Sequence, residues 1–567
     1  MDNPRVYLWV ALALLVWMNV IQWNRDYGAA TAATEASQQA ATADGTPGAA
    51  SAPAGQSQLP TLPTGDAAAT IPGSTAAPVA ESAANASASS VRVVTDVLDL
   101  DISLQGGDLV RADLLKYPRD KKPDSPPVRL FTTEQQDYSV ARSGLRALNG
   151  RVEPTHLVTY ASAANEYRLA PGASELRVPI TWTDGQGIAV TKTYVFKPGR
   201  YDVELIYDVD NRSGSDWSGA SYVQLARHIF SQERSMFDVE SYAYRGPAIY
   251  DGQRYRKLDV TDDEEGRYSQ DAKGGWIASM QHHFVTAAVP PTDEPYNLTL
   301  GTEADHALLT YRGPLKAIPA GTTGRFSEKL FVGPKLQAQL KETGPRLELT
   351  ADYGKLTILA DPLFHLLQWV HRFVGNWGWA IIIVTILLKL AFYPLTQMSG
   401  RSMAKMRTVA PRIKSIQETC KDDREKLARQ MMELYKREKI NPLAGCLPIL
   451  VQIPVFLAFY WVLLESVEMR QAPFMGWIQD LSSMDPYFIL PILMGVAMFG
   501  QFKLNPAPPD PVQAKVFAFM PVIMTVMMAW FPAGLVLYWL TNTLLSIAQQ
   551  WNINRVVENE AKKHRSA

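Results

Sequence analysis

The chain has 567 residues, of which 47% are apolar and 20% charged, and its formal net charge is -1. These averages suit an ordinary globular protein, but the last third carries apolar runs long enough to span a bilayer. The two cysteines, Cys420 and Cys446, exclude a disulfide framework and a CxxC metal pair.

The first predicted element is an N-terminal transmembrane anchor at residues 1–27. Arg5 precedes an apolar run at 6–23 that contains three tryptophans, and polar residues close it. This length and the tryptophans favour a retained helix, whereas the alanines at 29–33 leave a cleaved signal peptide as the alternative.

Residues 28–90 are predicted to form a flexible linker. They are mostly Ala, Ser, Thr, Pro and Gly, with no aromatic, Lys or Arg residue. Such a segment buries too little apolar surface to offset its ordering entropy, so it tethers the anchor to the next domain.

Residues 91–345 are predicted to form a large antiparallel β-sandwich. Apolar and polar residues alternate at 98–104 and again at 201–210, as in strands with one buried face. Glycine-containing turn signals such as Pro198-Gly199 separate these runs, and no long helical pattern intervenes.

This domain offers little chemistry in its sequence. It has no HExxH, GxSxG or phosphate-loop motif. The pair His282-His283 is predicted to be structural, because neighbours in a strand point to opposite faces and one metal cannot take both. We therefore expect no catalytic residue, no metal and no cofactor.

An amphipathic helix is predicted to begin near Asp361. Apolar residues recur at helical spacing through Phe373, and Trp369, Trp377 and Trp379 are typical of membrane-interface anchors. The alternative is a core helix of the preceding domain.

Five further membrane spans are predicted at 376–397, 442–466, 486–503, 514–531 and 535–553. With the anchor they make six, so the chain is predicted to be a polytopic α-helical membrane protein. Residues 401–439 contain twelve Lys or Arg against six Asp or Glu, which predicts a cytoplasmic connection. Both termini are then cytoplasmic, and the β domain is exported to the periplasm.

The cytoplasmic connection, at about 398–441, is predicted to be a helical hairpin with apolar inner faces and basic outer faces. We expect it to dock nascent chains, the ribosome or targeting factors, although a solvated hairpin would have the same pattern. The basic residues proposed for docking are Arg401, Lys405, Arg407, Arg412 and Lys414.

Lys389 is the one charge near the middle of a predicted span. A lysine at the centre of a membrane helix costs about 2.5–3.5 kcal/mol, so we expect it to face a watery cavity. Snorkelling of the side chain to the cytoplasmic interface is the alternative. Thr385 lies one turn earlier on the same face.

Other spans offer neutral polar groups that could line the same cavity as Lys389. No Asp or Glu lies well inside the five spans, so the positive charge is predicted to capture an anionic guest rather than to belong to an ion-coupled relay. The neutral groups are Gln452, Thr525, Asn542, Ser546 and Gln549.

Several motifs between about 350 and 555 resemble the Gram-negative YidC insertases of the YidC/Oxa/Alb superfamily. They are Asn376-Trp-Gly, Tyr393-Pro-Leu-Thr, Asn441-Pro-Leu-Ala-Gly-Cys, Gln471-Ala-Pro-Phe and Phe531-Pro-Ala-Gly-Leu-Val-Leu-Tyr. The resemblance covers the whole architecture, and it assigns residues 346–567 to an insertase core with a basic C-terminal tail.

The resemblance implies a five-helix core around a hydrophilic groove that opens to the cytoplasm and to lipid. Lys389 matches a groove position that is usually Arg, and Thr385 matches a groove threonine. Tyr538 matches an aromatic position of the last span, and Trp539 stands where a second tyrosine is often found. Gln452 and Thr525 complete the residues that we expect to contact a client.

The function implied is insertion and folding of integral inner-membrane proteins, alone or with the Sec translocon and its accessory subunits. The expected partners are nascent membrane proteins, the Sec translocon, the ribosome or targeting factors and the lipid bilayer, without nucleic-acid specificity. A secondary transporter would require repeated halves and intramembrane carboxylates. A membrane-tethered periplasmic enzyme would require clustered acid, base or metal ligands in 91–345.

Overall fold

The computed structural model describes residues 90–122, 124–148, 152–230, 243–262, 265–420, 423–438, 447–504 and 511–566, with three isolated residues before them. The predicted anchor at 1–27 and nearly all of the predicted linker at 28–90 lie outside the described residues. The predicted β-sandwich and the predicted five-helix core fall largely within them.

The N-terminal part of the described chain consists of short β-strands. In chain order they are β1 (Ser90–Val94), β2 (Leu98–Ser103), β3 (Leu109–Pro118), β4 (Pro127–Phe131), β5 (Ser139–Ala147), β6 (Ala161–Ser162), β7 (Glu166–Arg168), β8 (Leu176–Thr183), β9 (Ile188–Phe196), β10 (Asp202–Asn211), β11 (Trp217–His228), β12 (Gly246–Tyr250), β13 (Tyr255–Lys257), β14 (Ser269–Lys273), β15 (Trp276–Met280), β16 (Phe284–Val289), β17 (Pro295–Glu303), β18 (His306–Arg312), β19 (Lys316–Ile318) and β20 (Thr322–Pro334).

These strands form two sheets. One has the order β14-β17-β18-β11-β5-β3-β2-β1-β7, with β4 paired to β3 and β19 to β11, and the other has the order β13-β12-β15-β16-β20-β10-β9-β8-β6. The alternation predicted at 201–210 is confirmed, since Val203, Leu205, Tyr207 and Val209 of β10 are fully buried. Both sheets contribute to one apolar core, as in a β-sandwich.

One strand pair departs from the predicted antiparallel pattern. β7 pairs with β1 in the parallel direction, with Val93 opposite Tyr167. The chain returns to this edge of the sheet through a long connection instead of a hairpin, which is what a parallel pair requires.

The second part of the described chain is helical. Its helices are α1 (Gln337–Thr343), α2 (Thr357–Val374), α3 (Trp377–Ala391), α4 (Tyr393–Thr419), α5 (Arg424–Arg437), α6 (Leu447–Glu465), α7 (Ile489–Leu504), α8 (Pro511–Met528) and α9 (Ala533–Ser566).

The predicted span at 376–397 is not one straight helix. It is divided at Phe392 into α3 and α4, whose axes differ by 69°. Pro394 lies in the first turn of α4, where its missing N–H and its ring prevent a continuous helix from running through this point. Within the described residues, no individual helix is both long and apolar enough to cross a bilayer, whereas this bent pair satisfies the two criteria jointly by length and composition.

The helices share an apolar core of their own, to which α2, α3, α6, α7 and α9 contribute. The predicted amphipathic helix corresponds to α2, which buries Phe364 and Leu367 in this core and leaves Trp369 and Phe373 exposed. One face of α2 is therefore fixed to the helical core, and the exposed side carries Trp369 and Phe373 together with His365 and Arg372.

The structure overturns the strand argument made for His282 and His283, whereas their structural role stays a prediction. The two residues lie in the turn between β15 and β16, so strand alternation does not apply, and their rings stack with centroids 3.8 Å apart. His282 Nε2 lies 2.9 Å from the Leu464 carbonyl oxygen at the end of α6. Burial lowers the pKa of His282 to about 3, so this ring is neutral at physiological pH.

Candidate functional site: a polar pocket at Lys389

Lys389 lies in the last turn of α3, half-buried and directed at α9. Its Nζ donates hydrogen bonds to Ser546 Oγ at 2.7 Å and to Asn542 Oδ1 at 3.2 Å. Asn542 and Ser546 are four residues apart on α9, so they present their oxygens on the same face. The structure thus brings together the charge and two of the neutral groups that the sequence singled out.

A small cavity of about 20 Å³ opens beside Lys389 between α3, α4, α6 and α9. This volume accommodates about one water molecule. The residues that line it are Thr385, Leu388, Lys389, Phe392, Leu395, Thr396, Val451, Gln452, Val455, Tyr538 and Asn542.

Three of the other predicted groove residues also line this cavity. The Gln452 side-chain amide donates a hydrogen bond to the Tyr538 hydroxyl. The Tyr538 ring stacks on Phe459 with centroids 4.4 Å apart, which fixes its orientation. Thr385 is buried, and its hydroxyl donates to the Ile381 carbonyl at 2.6 Å.

Thr525 and Trp539 do not line the cavity. Thr525 lies on α8 against Gly495 of α7, and its hydroxyl donates to the Pro521 carbonyl at 2.7 Å. Trp539 packs edge-to-face on Phe456 with centroids 4.6 Å apart. For these two residues, as for Lys389, Thr385, Gln452 and Tyr538, contact with a client stays a prediction.

The residues of the predicted hairpin form α4 and α5, which contact each other through an apolar cluster that includes Val409 and Ile413. Arg401 and Lys405 are exposed on α4. Arg412 is also exposed, and its Nη1 donates to Glu438 Oε1 at 2.8 Å. The side chains of Arg407 and Lys414 lie outside the described residues.

The β domain contains a buried polar cluster that the sequence did not indicate. Lys192 is fully buried, and its Nζ donates to the Gly106 and Ser143 carbonyls at 3.0 and 3.2 Å. Burial lowers the pKa of Lys192 to about 8 and raises those of Asp108 and Glu328 to about 7. Lys192 and Glu328 lie within β9 and β20, Asp108 directly precedes β3, and the three have no motif spacing, so only their three-dimensional burial reveals them.

Both the β domain and the helical part of the chain match known protein families. Residues 90–366 match the family model described as the YidC periplasmic domain, and residues 369–561 match that of the 60Kd inner membrane protein. The chain is 47% identical to the membrane protein insertase YidC of Thioalkalivibrio sulfidiphilus over 577 residues, covering 99% of this chain and all of the relative.

Two further comparisons agree in name. The chain is 45% identical over 570 residues to the membrane protein insertase YidC of Pseudomonas putida strain W619, covering 99% of this chain and all of the relative. A crystal structure of an active YidC insertase aligns with 82% of this chain and 92% of its own, at 18% identity and a TM-score of 0.36, which is too low to bear on the fold. Because the similarity to curated relatives is high over the full length, the chain belongs to the YidC family of bacterial inner-membrane insertases, which have a periplasmic domain and are not enzymes.

Proposed function

We propose that the chain inserts integral membrane proteins into the inner membrane and assists their folding, alone or together with the Sec translocon. Relatives that carry the insertase name match it from end to end, which supports a shared activity. The observation that carries the proposal is Lys389, a half-buried ammonium group whose hydrogen-bond partners are neutral.

In the proposed arrangement, α3, α6, α7, α8 and α9 form the five-helix core, and residues 1–27 add a sixth span. The basic connection at 401–439 and both termini are cytoplasmic, and the β domain is periplasmic. The β domain offers a surface for the Sec translocon, and the basic hairpin offers one for the ribosome or targeting factors.

The groove charge is available to a client. Among the described residues, no carboxylate forms an ion pair with Lys389, so an acidic tail would not have to displace an existing one. Asn542 and Ser546 satisfy the ammonium group in the resting state, and a carboxylate that replaces them makes stronger, charge-assisted hydrogen bonds. The acidic or polar tail of a short client is therefore drawn toward Lys389.

The apolar segment of the client follows a different route. Ile453 and Leu457 on α6 and Phe519 and Val522 on α8 are large apolar side chains that are exposed in the structure. A client helix that slides along these two faces stays in contact with apolar surface, and its own hydrophobicity supplies the driving force. The polar pocket shortens the dry distance that the tail must cross.

Because the cavity beside Lys389 is small, we expect the helices around it to move when a client enters. The enclosed space of about 20 Å³ holds about one water. Its lining includes Leu395 and Thr396 of α4, beyond the bend at Phe392. We propose that a client enters by displacing α4 relative to α3.

The test is insertion of a single-span client into liposomes that contain the purified full chain, measured as protection of the client from protease. We expect Lys389→Ala to lower insertion of a client with an acidic tail by about fivefold or more, which corresponds to about 1 kcal/mol. Lys389→Arg should be tolerated, because it keeps the charge.

Lys503→Ala is the matched control, since Lys503 is a lysine in the last turn of α7 that does not line the cavity. It should leave insertion unchanged. An equal loss for acidic and neutral tails in Lys389→Ala contradicts electrostatic capture. If the unaltered chain inserts no more client than empty liposomes do, autonomous insertion is wrong, and a Sec-dependent chaperone or a transporter takes its place.

A further inference from the structure

Two histidines of the β domain face each other across a strand pair. His228 is the last residue of β11 and His306 is the first residue of β18, and they are direct partners in the antiparallel register. Directly opposed residues project from the same face of a sheet. The centroids of the two imidazole rings are accordingly 6.0 Å apart.

An aspartate in the adjoining turn reaches both rings. Asp305 belongs to the two-residue turn between β17 and β18, in which Ala304 adopts a left-handed conformation with φ of 50°. Asp305 Oδ2 lies 3.1 Å from His228 Nδ1, and Oδ1 lies 3.5 Å from His306 Nδ1. The donor atoms of the three side chains all lie within 4.8 Å of one another.

One ligand nitrogen of this cluster is not satisfied by the described residues. His228 Nδ1 is buried and has no hydrogen-bond partner there, although Asp305 Oδ2 lies 3.1 Å away. His306 Nε2 also lacks a partner there, but it is the ring nitrogen other than the Nδ1 that faces Asp305. A buried polar atom without a partner costs free energy, and such atoms in a native structure point to a bound water or ion.

We propose that His228, Asp305 and His306 bind one divalent first-row transition-metal ion, with Zn²⁺ as the representative. Two imidazole nitrogens and one carboxylate oxygen suit such an ion, whereas Ca²⁺ and Mg²⁺ prefer oxygen ligands alone. Tetrahedral zinc with bonds near 2.0–2.1 Å places its ligand atoms about 3.3 Å apart, which is close to the 3.1 Å between His228 Nδ1 and Asp305 Oδ2. Water completes the coordination.

The surroundings restrict both rings. The Tyr138 ring packs against His306 with centroids 4.5 Å apart, and the Phe230 ring meets His228 edge-on at 5.3 Å. Backbone bonding holds the turn as well, since Ile229 N donates to the Asp305 carbonyl at 2.8 Å. The three ligands are therefore positioned before the metal arrives, which favours binding.

This inference departs from the prediction that the chain has no metal site. The sequence contains no metal-ligand spacing, because His228 and His306 are distant in the chain and meet only through the pairing of β11 with β18. The bound ion would join the end of β11 to the β17–β18 turn and so stabilise this edge of the β domain.

The test is zinc titration of the tag-free, metal-stripped full chain in detergent by calorimetry. We expect one zinc per chain, and we expect His228→Asn and His306→Gln to weaken binding by more than about tenfold. Loss of an outer-shell partner alone costs about 10- to 100-fold in metal affinity, and loss of a ligand costs at least as much. Zinc should also raise the melting temperature of the unaltered chain but not that of the variants.

His365→Asn is the matched control, because His365 Nε2 lies 3.6 Å from Asp361 Oδ2 and no third ligand joins this pair among the described residues. It should bind zinc as the unaltered chain does. Asp305→Asn changes only a turn side chain, so it tests the site even if a histidine variant fails to fold. Absence of zinc binding to the unaltered chain, or unchanged binding in Asp305→Asn and both histidine variants, overturns the proposal.

Discussion

At the scale of single residues, the environment of Lys389 combines a charge with neutral partners. The ammonium group has three N–H donors, and Asn542 and Ser546 accept two of them. Hydrogen bonds to charged groups contribute more than those between neutral groups, and a buried donor that loses its acceptor carries the desolvation cost. The polar oxygens of α9 and the lysine of α3 therefore depend on each other.

This dependence predicts a non-additive pair of substitutions. Ser546→Ala should lower the free energy of unfolding by about 1–3 kcal/mol, because it leaves part of the Lys389 ammonium group unsatisfied. In a Lys389→Met background, Ser546→Ala should lower the free energy of unfolding by much less, because no ammonium group is left unsatisfied. A double-mutant cycle measured by reversible denaturation in mixed micelles gives the coupling, and equal costs in both backgrounds would show that the contact contributes nothing.

The carboxyl of Glu328 predicts a pH effect in the β domain. Burial raises its pKa to about 7 from an ordinary value of 4.5, so the folded state holds this proton more tightly than the unfolded state does. Glu328 therefore stabilises the domain fully below pH 4.5, and that contribution is lost as the pH rises to about 7. The unfolded chain releases the proton first, and folding then carries the cost of the buried group.

Glu328→Gln should remove this dependence. The stability of the variant relative to the unaltered chain should increase by on the order of 3 kcal/mol between pH 4 and pH 8, in proportion to the pKa shift. Thermal unfolding of the full chain, followed by circular dichroism in the β region, measures it. Asp108 titrates in both proteins and largely cancels in the difference, whereas Lys192 interacts with the Glu328 carboxyl and contributes to it. A flat difference would refute a raised pKa at Glu328.

At the scale of elements, the start of α3 shows how a motif fixes a helix. Asn376 caps the helix, because its Oδ1 accepts from the Trp379 backbone N–H at 3.1 Å. Its Nδ2 donates to the carbonyl oxygens of Pro473 and Phe474. Gly378 lies under the Phe474 ring, where an added Cβ would come within 2.1 Å of it. One helix end is thus joined to the loop before α7.

Gly378→Ala and Gly500→Ala are expected to have opposite effects. The first should destabilise the protein by about 1–3 kcal/mol, because the new methyl group overlaps the Phe474 ring. Gly500 lies inside α7 with only Ile547 nearby, at 3.9 Å, so alanine there should be neutral or should stabilise by about 0.5–1 kcal/mol. The melting temperatures of the two variants, measured under identical detergent conditions, show whether the loss of stability comes from overlap with the Phe474 ring or from replacing any helical glycine with alanine.

The same scale shows which elements the sequence could predict. The strand at β10 follows from its strict alternation, and the apolar runs locate α6, α7 and α8 to within a few residues. The division at Phe392 was not predicted, because the apolar pattern continues through it and a proline does not always end a helix, as Pro454 inside α6 shows. The stacking of the His282 and His283 rings was also not predicted. The two residues lie in a turn, where neighbouring side chains need not point to opposite faces as they do in a strand.

In the candidate site, too, some features could be predicted from the sequence and others could not. Lys389 was identifiable because a charge inside an apolar run is costly wherever the helix packs. Its contact with Ser546 depends on how α3 and α9 are placed, and the approach of His228 to His306 depends on strand register. Such long-range pairing is not encoded in any local spacing, so it could not be derived from the sequence.

At the scale of the whole molecule, the β domain and the helical core are joined by several contacts. Arg470, in the loop after α6, donates through Nη2 to the carbonyl oxygens of Pro118 and Arg119 at 3.0 and 2.9 Å. Tyr353 accepts from Gln337 at 2.9 Å and lies 3.2 Å from the Ser466 hydroxyl. The His282 ring adds its contact to Leu464. The domain is thereby fixed at the end of α6.

Arg470→Ala should loosen this junction. The carbonyl oxygens at the end of β3 would lose a charged donor, so we expect faster amide exchange at residues 115–122, measured by hydrogen–deuterium exchange of the full chain. Arg325→Ala provides the comparison, because Arg325 forms an exposed surface ion pair with Asp208. Unchanged exchange at 115–122 in Arg470→Ala would show that the other contacts hold the junction alone.

The length of α9 has a mechanical consequence. Its 34 residues extend about 51 Å, against about 30 Å for the hydrocarbon core of a bilayer. Asn542 and Ser546 lie in the first half of this helix, and the basic residues of the C-terminal tail belong to its far end. A continuous helix tilts as one body. A force on the C-terminal tail would therefore also move Asn542 and Ser546, whose oxygens accept hydrogen bonds from Lys389. If a ribosome binds the tail, as proposed, it would alter the polar cavity at Lys389 without touching it.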